Sequence, residues 1–209
     1  MSWVGGTLNF GVPTRFSAQA LKSTSSLVLN PKGRHYAALK SHMDTYEDTY
    51  FDEDAVVMEH NSRDLAERVR TINANAEVLC AFLRTRSAEE GAPSAAIKKV
   101  FYPKYTTPTN YLRCKRPAGG YGGLFSLTFT SLTASIAFHD ALACHKGPSL
   151  GTNFTLACAY AVLAFHNELE WVAEYGVEEG SVRISVGMED RDWLLRSFDA
   201  ALKAAESAQ

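Results

Sequence analysis

The sequence predicts an α+β fold, an antiparallel-rich sheet with helices packed on it, from three observations. Ser181-Val182-Arg183-Ile184-Ser185-Val186 alternates strictly, with Val182, Ile184 and Val186 on one face and the polar residues on the other, which is the period of a half-buried strand. Phe125, Leu127 and Phe129 alternate in the same way with Ser126 and Thr128. Leu65, Val69, Ile72, Ala76, Leu79 and Leu83 recur at steps of four and three, so a long amphipathic helix presents one apolar stripe. Strands linked by helices, with neighbouring strands mostly antiparallel, fold as packed layers of sheet and helix.

Taken in order, residues 1 to 24 are a short apolar string punctuated by Gly5-Gly6, Gly11 and Pro13. Leu27 to Asn30 reads as a strand and Pro31-Lys32-Gly33 as a turn, after which Tyr36, Leu39 and Met43 share one helical face. A short helix over about Asp52 to His60 precedes the long one, for which Asn61 can serve as cap. Gly91-Ala92-Pro93 closes a loop, and Ile97 to Phe101 is a strand ending at Pro103. The Pro, Thr and Gly-rich stretch 103 to 122 holds a short helix near Asn110 and enters the Phe125 strand through Gly119-Gly120-Tyr121-Gly122-Gly123. A helix over about Leu132 to Ala143, the Ser149-Leu150-Gly151 edge and a helical stretch from about Leu156 to Tyr175 lead to the Ser181 strand, which Gly187 stops. Glu189 and Asp190 then place carboxylates in the first turn of a terminal helix whose apolar face is Leu194, Leu195, Phe198, Ala201 and Leu202.

Composition bounds the function classes. The chain has 209 residues, 46% of them hydrophobic, enough for one or two units with a real core. A net charge of -2 and a pI near 6.3 supply no broad basic field, so nucleic acid is not the expected partner. Lys98-Lys99 and Arg113-Cys114-Lys115-Arg116 read as solvated surface. Cys80, Cys114, Cys144 and Cys158 lack Cys-x-x-Cys spacing, and the start of the chain lacks a signal-peptide pattern, so reduced thiols and a cytoplasmic location are expected. No apolar run approaches the ~18 residues of a membrane span.

The residue the sequence singles out for its chemistry is Arg183. In mid-strand between serines, a guanidinium is costly to bury unless it meets an anion, and its planar fork fits a carboxylate with two charge-assisted hydrogen bonds. On spacing alone the ordinary reading is an internal ion pair with one of the chain's own carboxylates, and a ligand carboxylate is the alternative. Asp140 and Cys144 share a helical face, but His139 and His145, six apart, point in different directions, so no metal site is expected from them. The glycine run at 119 to 123 has neither phosphate-loop spacing nor a following Lys-Ser or Lys-Thr, and reads as close backbone approach.

The stretch from Ser181 to Asp190 resembles the C-terminal signature of the cystathionine gamma-synthase group of pyridoxal-phosphate (PLP) enzymes of Cys/Met metabolism. Thr45 to Arg84, with Asp52-Glu53-Asp54-Ala55 and Arg70-Thr71-Ile72-Asn73-Ala74-Asn75-Ala76-Glu77, resembles the fungal form of that family. So do Gly119 to Gly123, Ser149-Leu150-Gly151-Thr152-Asn153-Phe154, and Leu163 to Gly176 with Glu168-Leu169-Glu170-Trp171. The resemblance covers roughly residues 24 to 205 and implies the small C-terminal domain of a fold-type I PLP enzyme, here over 25 to 209, with 1 to 24 as a remnant of the large domain.

Further implications follow from the same resemblance. Arg183 would clamp a ligand carboxylate, Ser149 would offer it a hydroxyl, and Tyr121 would serve as pocket wall. The family's Schiff-base lysine, in a Thr-Lys-x-Phe-Ser context, is matched here by Thr14-Arg15-Phe16-Ser17, one residue shorter, and a guanidinium offers no free amine for imine chemistry. Lys22 takes that place only with a gap that spoils the match of Ser26-Leu27-Val28-Leu29-Asn30-Pro31. The PLP-binding domain itself would precede residue 1, so no cofactor is expected. Two readings result: a PLP-independent domain that binds an acidic small molecule and promotes a cofactor-free cyclisation in fungal secondary metabolism, or a non-catalytic partner of a full-length relative. A homodimer or a complex with such a relative is the expected assembly.

Overall fold

The computed structural model describes residues 30–46 and 51–209, which divide at Asp64/Leu65 into two units. Arg15, Lys22 and most of the strand expected at Leu27 to Asn30 lie outside the described residues.

In the first unit the Gly33 N–H donates to the Asn30 carbonyl at 2.9 Å and closes the expected turn, and α1 (Tyr36–Asp44) follows. Helix α2 (Asp52–Ser62) carries Asp52, Glu53 and Asp54 in its first turn, where three carboxylates meet the positive end of the helix dipole. Asn61, expected to cap the long helix, instead lies inside α2, whose last turn is fastened by a two-point ion pair from Arg63 to Glu59 at 3.0 and 2.9 Å.

The second unit begins with the long helix α3 (Leu65–Thr85), a 3-10 turn at Ala88–Glu90 and β1 (Ile97–Phe101). Next come α4 (Pro108–Leu112), β2 (Leu124–Phe129), α5 (Leu132–Ala141) and the two-residue β3 (His145–Lys146). The chain finishes with β4 (Leu156–Ala159), α6 (Tyr160–Phe165), α7 (Leu169–Ala173), β5 (Val182–Ser185) and α8 (Arg191–Ser207). The strands form one sheet in the order β1-β2-β5-β4-β3, antiparallel except for β3 beside β4.

Helices α3, α5 and α8 cover one face of this sheet. Phe125, Leu127 and Phe129 of β2 and Val182 and Ile184 of β5 meet Phe138 of α5, Phe198 and Leu202 of α8, and Leu79 and Leu83 of α3 in a single buried cluster. The rings of Phe129 and Phe138 stand 5.1 Å apart at 48°, and Phe138 and Phe198 6.1 Å apart edge to face, so the two helices are keyed together by aromatic geometry as well as by area. The stripe of α3 is core only in its C-terminal half: Ala76, Leu79 and Leu83 are buried, while Leu65 and Val69 are 40% and 44% exposed.

The stretch expected as one helix from Leu156 to Tyr175 is instead a strand followed by two short helices. Leu156-Ala157-Cys158-Ala159 is buried over most of its length, so both faces are apolar and the run shows no alternation to distinguish strand from helix. Helix α6 ends at Phe165 and α7 starts at Leu169, with Glu168 turning the chain between them. At the terminal helix Asp190 is the cap, accepting from the Trp193 N–H at 2.9 Å, whereas the Glu189 carboxylate turns away to Thr155. Among the described residues no helix is long and apolar enough to cross a membrane.

Candidate functional site

Strand β5 is the centre of the sheet, and its pairing places Arg183 directly opposite Ser126 on one side and Cys158 on the other, all on the face away from the aromatic core. Two restraints hold the guanidinium. Its Nη2 donates to the carbonyl of Pro148, and its carbon lies 4.8 Å above the ring of Tyr160. Tyr160 reaches this position because β4 ends at Ala159 and α6 begins with no intervening loop, while the Tyr160 N–H donates to Ser181 at 3.1 Å. The edge-to-face ring of Phe165, 5.8 Å away at 87°, backs the tyrosine.

No carboxylate of the described residues pairs with Arg183, which leaves the internal ion pair unmade. Its neighbour Cys158 does not substitute for one: burial pushes that thiol up, and the pull of the Arg183 charge is the smaller effect, so the thiol stays neutral at neutral pH.

The segment 147–151 is tied to the same strands at three points. The Gly147 N–H donates to Ala157 at 3.0 Å, Pro148 accepts from Arg183, and the Gly151 N–H donates to the buried Ser185 hydroxyl at 3.1 Å. Ser149 is exposed between these anchors, one residue from the carbonyl that Arg183 holds. The structure therefore brings the Ser149 segment and Arg183 together.

Tyr121 sits in a different cluster. Its ring stacks on Tyr111 at 5.4 Å and tilts against Tyr102 at 6.2 Å, with the ammonium groups of Lys115 and Lys104 5.4 and 5.8 Å from its centre. The phenols of Tyr102 and Tyr111 donate to the carbonyls of Gly122 and Gly120, and Asn73 accepts from the Gly122 N–H at 2.9 Å. Close approach explains the glycines: a Cβ on Gly120 would lie 2.4 Å from Asn73, and one on Gly123 2.2 Å from Ile72. No contact links Tyr121 with Arg183 or Ser149.

A buried polar knot fixes the far end of β5. Thr155 donates its hydroxyl to Glu189 at 2.9 Å and accepts from the Gly187 N–H at 3.0 Å, and Asn75 of α3 donates to the carbonyls of Gly187 and Glu189 at 3.2 and 3.0 Å. Sequence reasoning singled out neither this knot nor Tyr160 and Pro148. The one available signal was Asn73 and Asn75, amides standing next to the apolar stripe of α3 in its buried half.

The lysines of 65–209 are all engaged. Lys98, Lys99, Lys104 and Lys203 pair with Glu178, Glu89, Glu77 and Asp199, while Lys115 and Lys146 donate to the carbonyls of Arg116 and Leu142. His139 pairs with its neighbour Asp140 at 3.3 Å, and the ring of His145 packs edge-on against Phe154. Open grooves lie along α7, one of them lined by His166, Glu168, Glu170 and Trp171, and Arg183 lines neither of the two.

Comparison with known proteins agrees with this architecture. Residues 28–203 match the family described as Cys/Met metabolism PLP-dependent enzyme. The chain is 57% identical over 208 residues to a cystathionine gamma-synthase-like enzyme of Amanita muscaria, a match spanning 93% of this chain and 33% of that protein. It is 44% identical over 193 residues to the cystathionine gamma-synthase of Neurospora crassa, spanning 91% of this chain and 30% of the other. Among solved structures, cystathionine gamma-synthase from Xanthomonas oryzae pv. oryzae in complex with aminoacrylate and cysteine superposes with a TM-score of 0.62 at 27% identity, over 75% of this chain and 39% of that one. The chain thus spans about a third of the length of the curated relatives it matches. With its family match running from the first turn to the terminal helix, and its sheet shared with solved members, the chain belongs to the Cys/Met metabolism PLP-dependent enzyme family.

Proposed function

We propose that this chain binds a small acidic molecule by its carboxylate, with Arg183 as the principal contact and the Ser149 hydroxyl as a second, and that it does so without imine chemistry. The observation that carries the reading is a guanidinium held in place by Pro148 and Tyr160 and yet paired with no carboxylate of the described residues. A charge-assisted bond to such a group typically contributes about 1.5–3 kcal/mol. Support also comes from the Xanthomonas oryzae structure, whose two named ligands, aminoacrylate and cysteine, both bear carboxylates.

The residues of 65–209 do not fit a Schiff base with PLP. The chemistry needs a lysine amine free to attack a carbonyl, and each lysine here is paired with a carboxylate or donates to a backbone carbonyl; for Lys104 the bond to Glu77 raises the ammonium pKa. A cofactor-free cyclisation is compatible with this chemistry, since a clamped carboxylate fixes the conformation in which the two ends of a flexible molecule meet. Titration calorimetry with succinate, ethanolamine and inorganic phosphate tests the reading. Succinate should bind and ethanolamine should not; equal weak response to all three would end it.

A second reading, a non-catalytic partner of a full-length relative or a homodimer, is favoured by the exposed Leu65 and Val69 at the head of α3. Native mass spectrometry separates it from a monomer that acts alone.

A further inference from the structure

We propose that Tyr160 is a positioning residue for Arg183, setting which edge of the guanidinium is presented to a ligand carboxylate; this rests on the carboxylate reading above. An arginine on the open face of a central strand has four rotatable bonds and loses rotamer freedom whenever its tip is fixed. Two-point recognition of a carboxylate needs the fork already in plane, or that entropy is lost on binding instead.

Tyr160 and Pro148 supply the two directions of restraint that a plane requires. The Pro148 carbonyl holds Nη2 within the plane of the guanidinium, and the tyrosine ring, 4.8 Å away, limits motion out of it. Nη2 carries a second N–H besides the one given to Pro148, and together with Nη1 or Nε it forms the two-donor edge that remains for a ligand carboxylate.

The ring is itself well fixed. Phe165 meets it edge-on at 5.8 Å, the Tyr160 N–H is bonded to Ser181 at 3.1 Å, and the direct passage from β4 into α6 leaves no flexible link behind it. Cys158, beside Arg183 on β4, is buried and offers no charge to compete for the guanidinium. The contact uses the face of the ring rather than the phenol oxygen, so phenylalanine should serve and an aliphatic side chain should not.

The test is succinate titration of wild-type protein, Tyr160→Phe, Tyr160→Leu and Arg183→Lys. Tyr160→Leu should weaken succinate binding roughly three- to tenfold, the range of an exposed or partly desolvated cation–π contact, while Tyr160→Phe stays within about twofold of wild type. In the Arg183→Lys background, Tyr160→Leu should weaken binding by less than it does alone, because the fork it orients is gone. Wild-type affinity in folded Tyr160→Leu overturns the inference and leaves the carboxylate reading standing. Wild-type protein that ignores succinate overturns the reading first, and the inference with it. Should Tyr160→Leu not fold, NMR of the wild type decides: the Arg183 side-chain protons should be displaced upfield by the tyrosine ring current, and ordinary shifts would reject the contact.

Discussion

The side-chain amide of Asn75 donates to the carbonyl of Gly187 at 3.2 Å, joining the long helix to the end of the central strand across 112 residues of chain. Both partners are buried, and the same amide serves Glu189. Asn75→Ala leaves two carbonyls without their donor, so unfolding free energy should fall by about 1–3 kcal/mol. Thermal melting should register this as a loss of several degrees, and an unchanged midpoint would mean that water replaces the amide.

Gly187→Ala should be worse than its size suggests. The added Cβ would fall 2.4 Å from the Phe154 carbonyl carbon and 2.5 Å from a Glu189 carboxylate oxygen, so backbone has to move. Overpacking of this kind costs about 1–3 kcal/mol. Gly147→Ala is the control, since its Cβ would meet only Leu156 at an ordinary 3.8 Å. Equal melting temperatures for the two variants would contradict the close approach.

Arg183→Lys keeps the charge and loses the fork, so it should weaken carboxylate binding nearly as much as Arg183→Ala. Ser149→Ala should cost less, about 0.5–1.5 kcal/mol, as expected for a neutral donor. Calorimetry beside thermal melting distinguishes recognition from structure: if the folded Arg183→Ala protein binds succinate unchanged, Arg183 is not the clamp.

Alkaline pH should destabilise the fold through Cys80 and Tyr102. Burial first, then the Glu77 carboxylate, pushes the Cys80 thiol well above its ordinary 9.0, and burial likewise pushes the Tyr102 phenol above 10.0. The native state keeps protons that the unfolded chain releases, so stability is intact below about pH 9 and then falls by up to about 1.4 kcal/mol per pH unit for each group. Cys80→Ala should shed its share of this slope. Denaturation at pH 7 to 11 should show wild type and variant converging as pH rises, and parallel curves would refute the assignment.

The protein should take up no PLP as an imine. Incubated with the cofactor and treated with borohydride, it should show no labelled lysine by peptide mass spectrometry, including Lys22. Specific labelling of Lys22 would restore the lysine that the alignment at Arg15 removes.

Strands with a polar face were legible in the sequence at β2 and β5, because alternation is visible wherever one side meets something other than the core, whereas β1 was bounded by its apolar residues and the stop at Pro103. Strand β4 was not legible for the same physical reason, since Leu156 and Cys158 are buried on one side and Ala157 on the other. At the proposed site Arg183 was singled out by its residue type in mid-strand and Ser149 by the family resemblance. Tyr160 and Pro148 were hidden because one acts through its ring face and the other through a backbone carbonyl that any residue carries. Tyr121 illustrates the converse: an aromatic in a glycine run says that something packs there, and only the fold says it is Tyr111 rather than Arg183.

The strand order β1-β2-β5-β4-β3 sets a schedule for the nascent chain. The central strand is the last of the described strands to leave the ribosome, so Leu124–Phe129 and Leu156–Ala159 must wait with one edge each unmatched until Val182–Ser185 arrives between them. Such edges invite pairing with other chains, and the waiting interval is when this domain is most open to misassembly. A stop codon anywhere before residue 186 therefore removes the wedge that closes the sheet, and the product is expected in inclusion bodies rather than as a shortened but soluble domain.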